Sequence, residues 1–383
     1  MESNNEKTIV FITGTRADFG KLKPIIRTAI WANQFHVHIF VTGMHLLSNY
    51  GYTAHEVEKE GFQNIYKFMN QSYNDSMDVI LAKTIMGFSD FVKEIRPDMI
   101  VIHGDRVEAL AGAIVGCLNN ILVSHIEGGE VSGTIDDLLR HSITKLSHLH
   151  LVCNNVARRR LLQMGEEEKC IRIIGSPDID IMTSGNIPPI EKAKERYGIP
   201  FDQYSLFMYH PVTTEIQQLR KKVNVVVEAL LANAEKYVVV YPNNDTGSDI
   251  IIEALERIRG NERFRLFPSI RFEYFLSLLK HADIVIGNSS AGVREAPFYG
   301  TPTVNLGTRQ SNRSDAPTII NAVEENSAVV EAIARAHSLP RIKTEEFGDG
   351  RSSEHFLEFL TDEETWKTLP QKRFNDVTFH SNK

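Results

Sequence analysis

The sequence predicts an α/β protein built from two doubly wound domains, and three observations carry that prediction. Short β-branched runs alternate with helix-length amphipathic stretches. The alternation breaks at 175–189, a stretch of Gly, Pro, Ser and Asp without clear periodicity, and then restarts. At 383 residues the chain is too long for one ordinary domain and suits two of middling size.

In the first half, strands are expected at 8–13, 37–42, 99–103, 121–126 and 149–153, with helices at 21–31, 77–95, 108–118 and 135–147. This β-α-β order predicts a parallel sheet with helices on both faces. Residues 175–189 read as a linker. Strands then follow at 205–209, 237–241, 264–267, 284–286 and 303–306, with helices at 215–232, 249–258, 272–281 and 328–336. Residues 354–360 read as a last helix, and Trp366 and Phe374 as a strap. The expected division is 1–177, 178–362 and a tail at 363–383 that returns to the first domain. Two such halves imply a cleft between them.

Apolar residues make up 42% and charged residues 24%, the profile of a globular chain with a full core. A formal net charge of -7 argues against a nucleic-acid partner, because a phosphate backbone demands a basic face. It leaves room for a single phosphate ligand, which needs only local donors. The three cysteines, Cys117, Cys153 and Cys170, fit no metal ribbon and read as reduced thiols. The opening residues Met-Glu-Ser-Asn-Asn-Glu-Lys-Thr lack the apolar core of a signal peptide, and no apolar run approaches the ~18–20 residues that span a bilayer. The expected compartment is the cytoplasm, with no membrane partner.

In a parallel α/β sheet, ligands bind beyond the carboxyl ends of the strands. The polar, Gly-rich clusters fall there: Gly14-Thr-Arg-Ala-Asp18, Thr42-Gly-Met-His45, His103-Gly-Asp-Arg106 and His125-Ile-Glu-Gly-Gly-Glu130 in the first half. The second half repeats the habit with Tyr209-His-Pro-Val-Thr213, Tyr241-Pro-Asn-Asn-Asp245, Gly287-Asn-Ser-Ser-Ala-Gly292 and Asn305-Leu-Gly-Thr-Arg309. Asp105 and Glu127 end apolar strands, where a solvated surface acid would be out of place. Glu130, Asp136 and Asp137 follow. Asp136 reads equally as a helix N-terminal acid, and Asp137 reads as structural. The 287–292 loop, with Ser289 and Ser290, suits a diphosphate at the start of a helix near Val293, or serves as an ordinary serine cap. Glu295 is placed to accept ribose hydroxyls, or simply favours the helix dipole. Arg16, Arg106 and Arg309 are the diphosphate clamps by position, unless each is a surface ion pair. His210 faces the same rim. The pairs His103-x-Asp105 and His125-x-Glu127 each point to one strand face, a pattern also open to a divalent metal. The two histidines lie one pleat deeper, however, where a neutral imidazole packs and bonds backbone. No metal is expected, and they read as structural neighbours.

At these residues the chain resembles the hydrolysing UDP-N-acetylglucosamine 2-epimerases, most of all the bacterial enzymes that start sialic acid synthesis for capsules. The matching stretches are Gly14-Thr-Arg-Ala-Asp-Phe-Gly-Lys-Leu-Lys-Pro24, Val41-Thr-Gly-Met-His45, Ile102-His-Gly-Asp-Arg106, the run at 125–137, Arg140-His-Ser-Ile-Thr-Lys145, 241–247, 287–295 and Gly307-Thr-Arg-Gln310. The resemblance implies two Rossmann-like domains of the glycosyltransferase-B type, with the C-terminal helix crossing back to the first. It implies a UDP-sugar substrate, no cofactor, and a homodimer or homotetramer. Arg16, Arg106, His210, Asn243, Ser289, Ser290, Gly292, Glu295 and Arg309 would hold UDP, and Asp105, Glu127 and Asp136 would be the catalytic carboxylates. Non-hydrolysing relatives typically read Gly-Thr-Arg-Pro-Glu and Glu-Ala-Gly-Leu-Arg where this chain has Ala17-Asp18 and Glu127-Gly-Gly-Glu130. It also has His210-Pro-Val-Thr213 in place of His-Arg-Arg-Glu. These departures favour the hydrolysing branch. Relatives acting on a UDP-linked 2,4-diacetamido-trideoxy sugar share many motifs, so the C4 and C6 groups of the substrate stay open. A glycosyltransferase of the same fold is the nearest enzyme alternative.

Overall fold

Buried parallel strands must be apolar on both faces, and the apolar runs of the first half become such strands. In chain order they are β1 (Lys7–Thr13), β2 (Phe35–Val41), β3 (Ile65–Lys67), β4 (Met99–His103), β5 (Leu122–Ile126), β6 (Leu149–Val152) and β7 (Ile171–Ile173). They form one seven-stranded sheet in the order β3-β2-β1-β4-β5-β6-β7, with every pairing parallel. Alternate residues serve opposite faces. Ile9, Phe11, Met99 and Val101 join one apolar cluster, while Val10, Ile12, Ile100 and Ile102 join the other. The computed structural model describes residues 6–72, 75–132, 135–242 and 246–376. The first unit comprises Met1–Glu130, Asp136–Asp180 and Phe347–Lys383.

The second unit comprises Val131–Ile135 and Ile181–Glu346. Its strands are β8 (Ser205–Met208), β9 (Tyr237–Val240), β10 (Phe264–Phe267), β11 (Val285–Gly287), β12 (Thr303–Leu306) and β13 (Ile319–Ala322). They form a parallel sheet in the order β10-β9-β8-β11-β12-β13. Both units are therefore Rossmann-like, and together they make the two-domain α/β architecture of glycosyltransferase-B type. In each sheet the strand order reverses once, between β1 and β4 and between β8 and β11. Those are the crevices where doubly wound sheets take ligands.

The structure departs from the sequence expectation in several places. The expected linker at 175–189 contains the helix Pro177–Thr183. The first helix begins at Arg16 rather than 21, because Thr15 caps it and the Thr15 side chain accepts from the Asp18 N–H. The strands β3, β7 and β13 had no counterpart in the expectation. Each lies at a sheet edge, is three or four residues long, and keeps at most one buried residue. The return to the first unit begins at Phe347, upstream of the tail placed at 363. The helix Ser352–Thr361 belongs to the first unit's core, where Phe356 is fully buried and its ring lies 6.1 Å from that of Phe11. Trp366 stacks on Phe35 with centroids 6.1 Å apart, whereas Phe374 is exposed. All three cysteines are free thiols, with Cys153 buried and the other two partly so. Among the described residues no helix is long and apolar enough to cross a membrane.

Candidate active site

In the first unit the strand ends converge on a buried set of charges. Leaving β1, the chain caps its next helix reciprocally: Asp18 N donates to Thr15 Oγ1 at 3.2 Å, and Gly14 N donates to Asp18 Oδ2 at 3.1 Å. The other oxygen of Asp18 is thereby turned toward His103, the last residue of β4, whose Nδ1 lies 3.1 Å away. The second ring nitrogen, Nε2, is 2.7 Å from Glu127 Oε2. Glu127 follows β5 and is 5% exposed. Its backbone adopts φ 72°, left-handed and costly for a residue with a side chain. Gly129, two residues on, also needs its positive φ, and a Cβ there would sit 2.4 Å from the Ala157 carbonyl oxygen. The tight turn keeps the Glu127 carboxylate at the strand end. Lys21 adds a further cation, with Nζ 3.5 Å from Glu127 and 3.6 Å from the fully buried Asp178.

His103 corrects the expectation of a neutral structural histidine. Burial works against its charged form, but Glu127 and Asp18 overcome that and hold its pKa up at about 9. His125 follows the expectation. It is fully buried, meets the Gly104 carbonyl at 2.8 Å and Thr144 Oγ1 at 3.1 Å, and burial pushes its pKa down to about 3. His45 is neutral too, at about 4 because of burial, with Thr13 and Thr53 hydroxyls at its two nitrogens. Among the described residues no group of His, Cys, Asp and Glu is arranged to hold a metal ion.

Asp105 pairs with Arg140, a residue of the helix Ile135–Leu146 that is 2% exposed. Burial opposes the charge of Arg140, yet Asp105, Glu130, Glu127 and Asp136 together raise its pKa. One buried guanidinium thus pairs with Asp105 and feels the charge of the other two acids singled out from sequence, Glu127 and Asp136. Arg140 itself carried no role in the sequence reading. Asp137 lies 3.7 Å from the same guanidinium, and Glu130 takes the Cys153 thiol at 3.0 Å. On this rim Arg16 pairs with Glu56 at 2.8 Å, and Arg106 Nε lies 3.4 Å from Glu108.

The second unit gathers its own set at the ends of β8, β11 and β12. Asn288, fully buried, ties the loops together. Its side chain accepts from His210 N at 2.6 Å and donates to His210 O at 2.9 Å. Its carbonyl accepts from Arg309 Nη1 at 3.2 Å and Gln310 Nε2 at 3.1 Å. Gly287, at φ 131°, permits this closeness, since a Cβ there would fall 1.8 Å from Met208 O. Ser289 and Ser290 follow on the partly exposed side, with Ser289 Oγ accepting from Ala291 N. A single 3-10 turn, Ser290–Gly292, comes next, and the helix starts only at Glu295 rather than near Val293. Ser290 O takes the Val293 amide in a 3-10 bond and the Arg294 amide in a single α-type bond, so this turn comes before the regular helix. Glu295 is buried. So His210, Ser289, Ser290, Gly292, Glu295 and Arg309 lie in one unit, and Asp105, Glu127, Asp136, Arg16 and Arg106 in the other. Asn243 lies outside the described residues.

Comparison with known proteins places the chain. Residues 29–361 match the family model UDP-N-acetylglucosamine 2-epimerase. A relative from Neisseria meningitidis serogroup B, named UDP-N-acetylglucosamine 2-epimerase, is 49% identical over 97% of this chain and 99% of its own length. One from Legionella pneumophila, named UDP-N,N'-diacetylbacillosamine 2-epimerase (hydrolyzing), is 32% identical over 95% and 96%. A crystal structure of the Methanocaldococcus jannaschii UDP-GlcNAc 2-epimerase, in complex with UDP-GlcNAc and UDP, shares the fold with a TM-score of 0.79 at 21% identity, over 92% of this chain and 99% of that one. The chain belongs to the UDP-N-acetylglucosamine 2-epimerase family.

Proposed function

We propose that the protein is a hydrolysing UDP-N-acetylglucosamine 2-epimerase, converting UDP-GlcNAc and water to UDP and N-acetylmannosamine as the first step of sialic acid synthesis for a capsule. The observation that carries the reading is the pairing of Asp105, just past β4, with the buried Arg140, whose charge Glu127, just past β5, and Asp136, in the first turn of the helix Ile135–Leu146, also favour. The C2 hydrogen of the sugar has no adjacent carbonyl and is not acidic. Loss of UDP from C1 creates an oxocarbenium-like centre that makes it removable by a carboxylate, leaving 2-acetamidoglucal. Water then adds its oxygen to C1, and C2 takes a proton on the opposite face. Acids and bases on both faces are needed, and three neighbouring carboxylates supply them. Arg16, Arg106, His210, Asn243, Ser289, Ser290, Gly292, Glu295 and Arg309 hold UDP in this account, with the arginines stabilising the departing diphosphate. We assign no cofactor, a cytoplasmic site of action and a homodimer or homotetramer.

Hydrolysis rather than simple epimerisation is supported by Glu127-Gly-Gly-Glu130 and by the Legionella relative, whose name includes hydrolysis. That relative also supports a second reading, a UDP-linked 2,4-diacetamido-trideoxy substrate; the higher identity to the Neisseria protein favours UDP-GlcNAc. Incubation with each sugar nucleotide, followed by identification of the released sugar, separates them. Free N-acetylmannosamine and UDP are expected. Intact UDP-N-acetylmannosamine as the product would place the protein in the non-hydrolysing branch.

A further inference from the structure

Charges alternate through the first unit along a single buried line: Asp18, His103, Glu127, Lys21, Asp178. The spacings are 3.1, 2.7, 3.5 and 3.6 Å. The side chains of His103 and Glu127 are each 7% exposed, that of Lys21 13%, and that of Asp178 fully buried. A buried array of this kind is costly unless every charge has an opposite neighbour, and here each has one or two. Both ring nitrogens of His103 lie close to carboxylate oxygens, Asp18 Oδ1 and Glu127 Oε2. With an anion close to each nitrogen, the charged imidazolium is the form this site favours over the neutral ring.

We propose that His103 is a positioning residue: an imidazolium wedged between Asp18 and Glu127 that keeps the Glu127 carboxylate ionised and oriented as the group that takes the C2 proton. The inference rests on the proposed function and narrows it by naming the base. In the elimination, the C2–H bond breaks and its proton goes to a Glu127 oxygen. The electron pair left behind becomes the C1=C2 bond, and the C1–O pair departs with UDP. Asp105 is held differently, by the guanidinium of Arg140. The charged and titratable groups around His103, whether against the ring or against its partner Glu127, come from several elements. Asp18 and Lys21 lie on the helix Arg16–Trp31, Glu127 and the neutral His125 come from β5 and its end, Arg140 from the helix Ile135–Leu146, and Asp178 from the helix Pro177–Thr183. Two carboxylates lie against the ring, and the cation Lys21 reaches one of them, Glu127, whose charge Arg140 also feels. The imidazolium therefore persists to about pH 9.

The test is UDP release measured from about pH 5.5 to 10 for the full-length protein, H103Q and D18N, with each variant's fold checked by circular dichroism. In H103Q, kcat should fall roughly 10²-fold with KM nearly unchanged. Its acid limb should move up by about one pH unit, because Glu127 loses a cation that favoured its anion. In D18N the imidazolium loses one carboxylate, and the basic limb should move down by about one unit from near pH 9. A merely structural histidine would lower activity without moving either limb. If the unaltered protein turns over and both variants keep its limbs, the inference fails alone. If it releases no UDP, the proposed function fails as well. Should H103Q not fold, the D18N limb decides.

Discussion

Arg140 and Asp105 illustrate what a single buried pair does to a site. A guanidinium with 2% exposure is tolerable only beside anions, and the acids around it repay its desolvation. Asp105 is the member of that pair with exposure, 25% at the side chain, and so the one able to meet a ligand. The substitution Asp105→Asn keeps the shape and removes the charge. Turnover should drop by roughly 10²–10⁴-fold while UDP binding, measured calorimetrically, stays within a few-fold. Substantial remaining turnover would remove Asp105 from the chemistry. Asp105 and Glu127 could be singled out in the sequence because an acid at the end of an apolar strand is conspicuous. The charge on His103 could not. Its partners stand at 18 and 127, and only folding brings them within 3.1 and 2.7 Å of the ring.

At the scale of elements, the loops of the second unit owe their arrangement to Asn288. In sequence, Gly-Asn-Ser-Ser reads as a turn, and nothing marks the Asn as the residue that binds the strand-end His210 by both its N–H and its C=O. Replacing it with alanine leaves the partly buried His210 amide without its acceptor, a cost of about 1 kcal/mol. Asn288→Ala should therefore lower the melting temperature and raise KM for the UDP-sugar more than it lowers kcat. An unchanged KM would separate this loop from nucleotide binding. The central strands were readable for a related reason. β1, β4 and β8 are buried on both faces and so appear as unbroken apolar runs. The edge strands β3, β7 and β13 carry polar or exposed residues on an open side, as with Tyr66 and Lys67 in β3, and that erases the signal.

The whole chain shows two Rossmann-like units, the first of which is completed by the last part of the sequence. The helix Ser352–Thr361 fills a face of the first sheet with Phe356, Phe359 and Leu360. Asp180 fixes its start by accepting from Ser352 N at 2.8 Å and Ser353 N at 2.7 Å. Sequence reading found this helix, yet set the division after it. The helix is amphipathic, and its period says that one face is buried without saying against which sheet. Phe356→Ala should cost the first unit about 3–5 kcal/mol in chemical denaturation, with the second unit's transition unmoved. A loss shared equally by both transitions would contradict the assignment of the tail to the first unit.

The chemistry assigned to the whole molecule is elimination followed by hydration, and solvent hydrogen reports on it most directly. The protein incubated with UDP-GlcNAc in heavy-hydrogen water should yield UDP and N-acetylmannosamine with one deuterium at C2, read by proton NMR and mass spectrometry. N-acetylmannosamine formed without deuterium at C2, or recovery of the intact nucleotide sugar epimerised at C2, would contradict it.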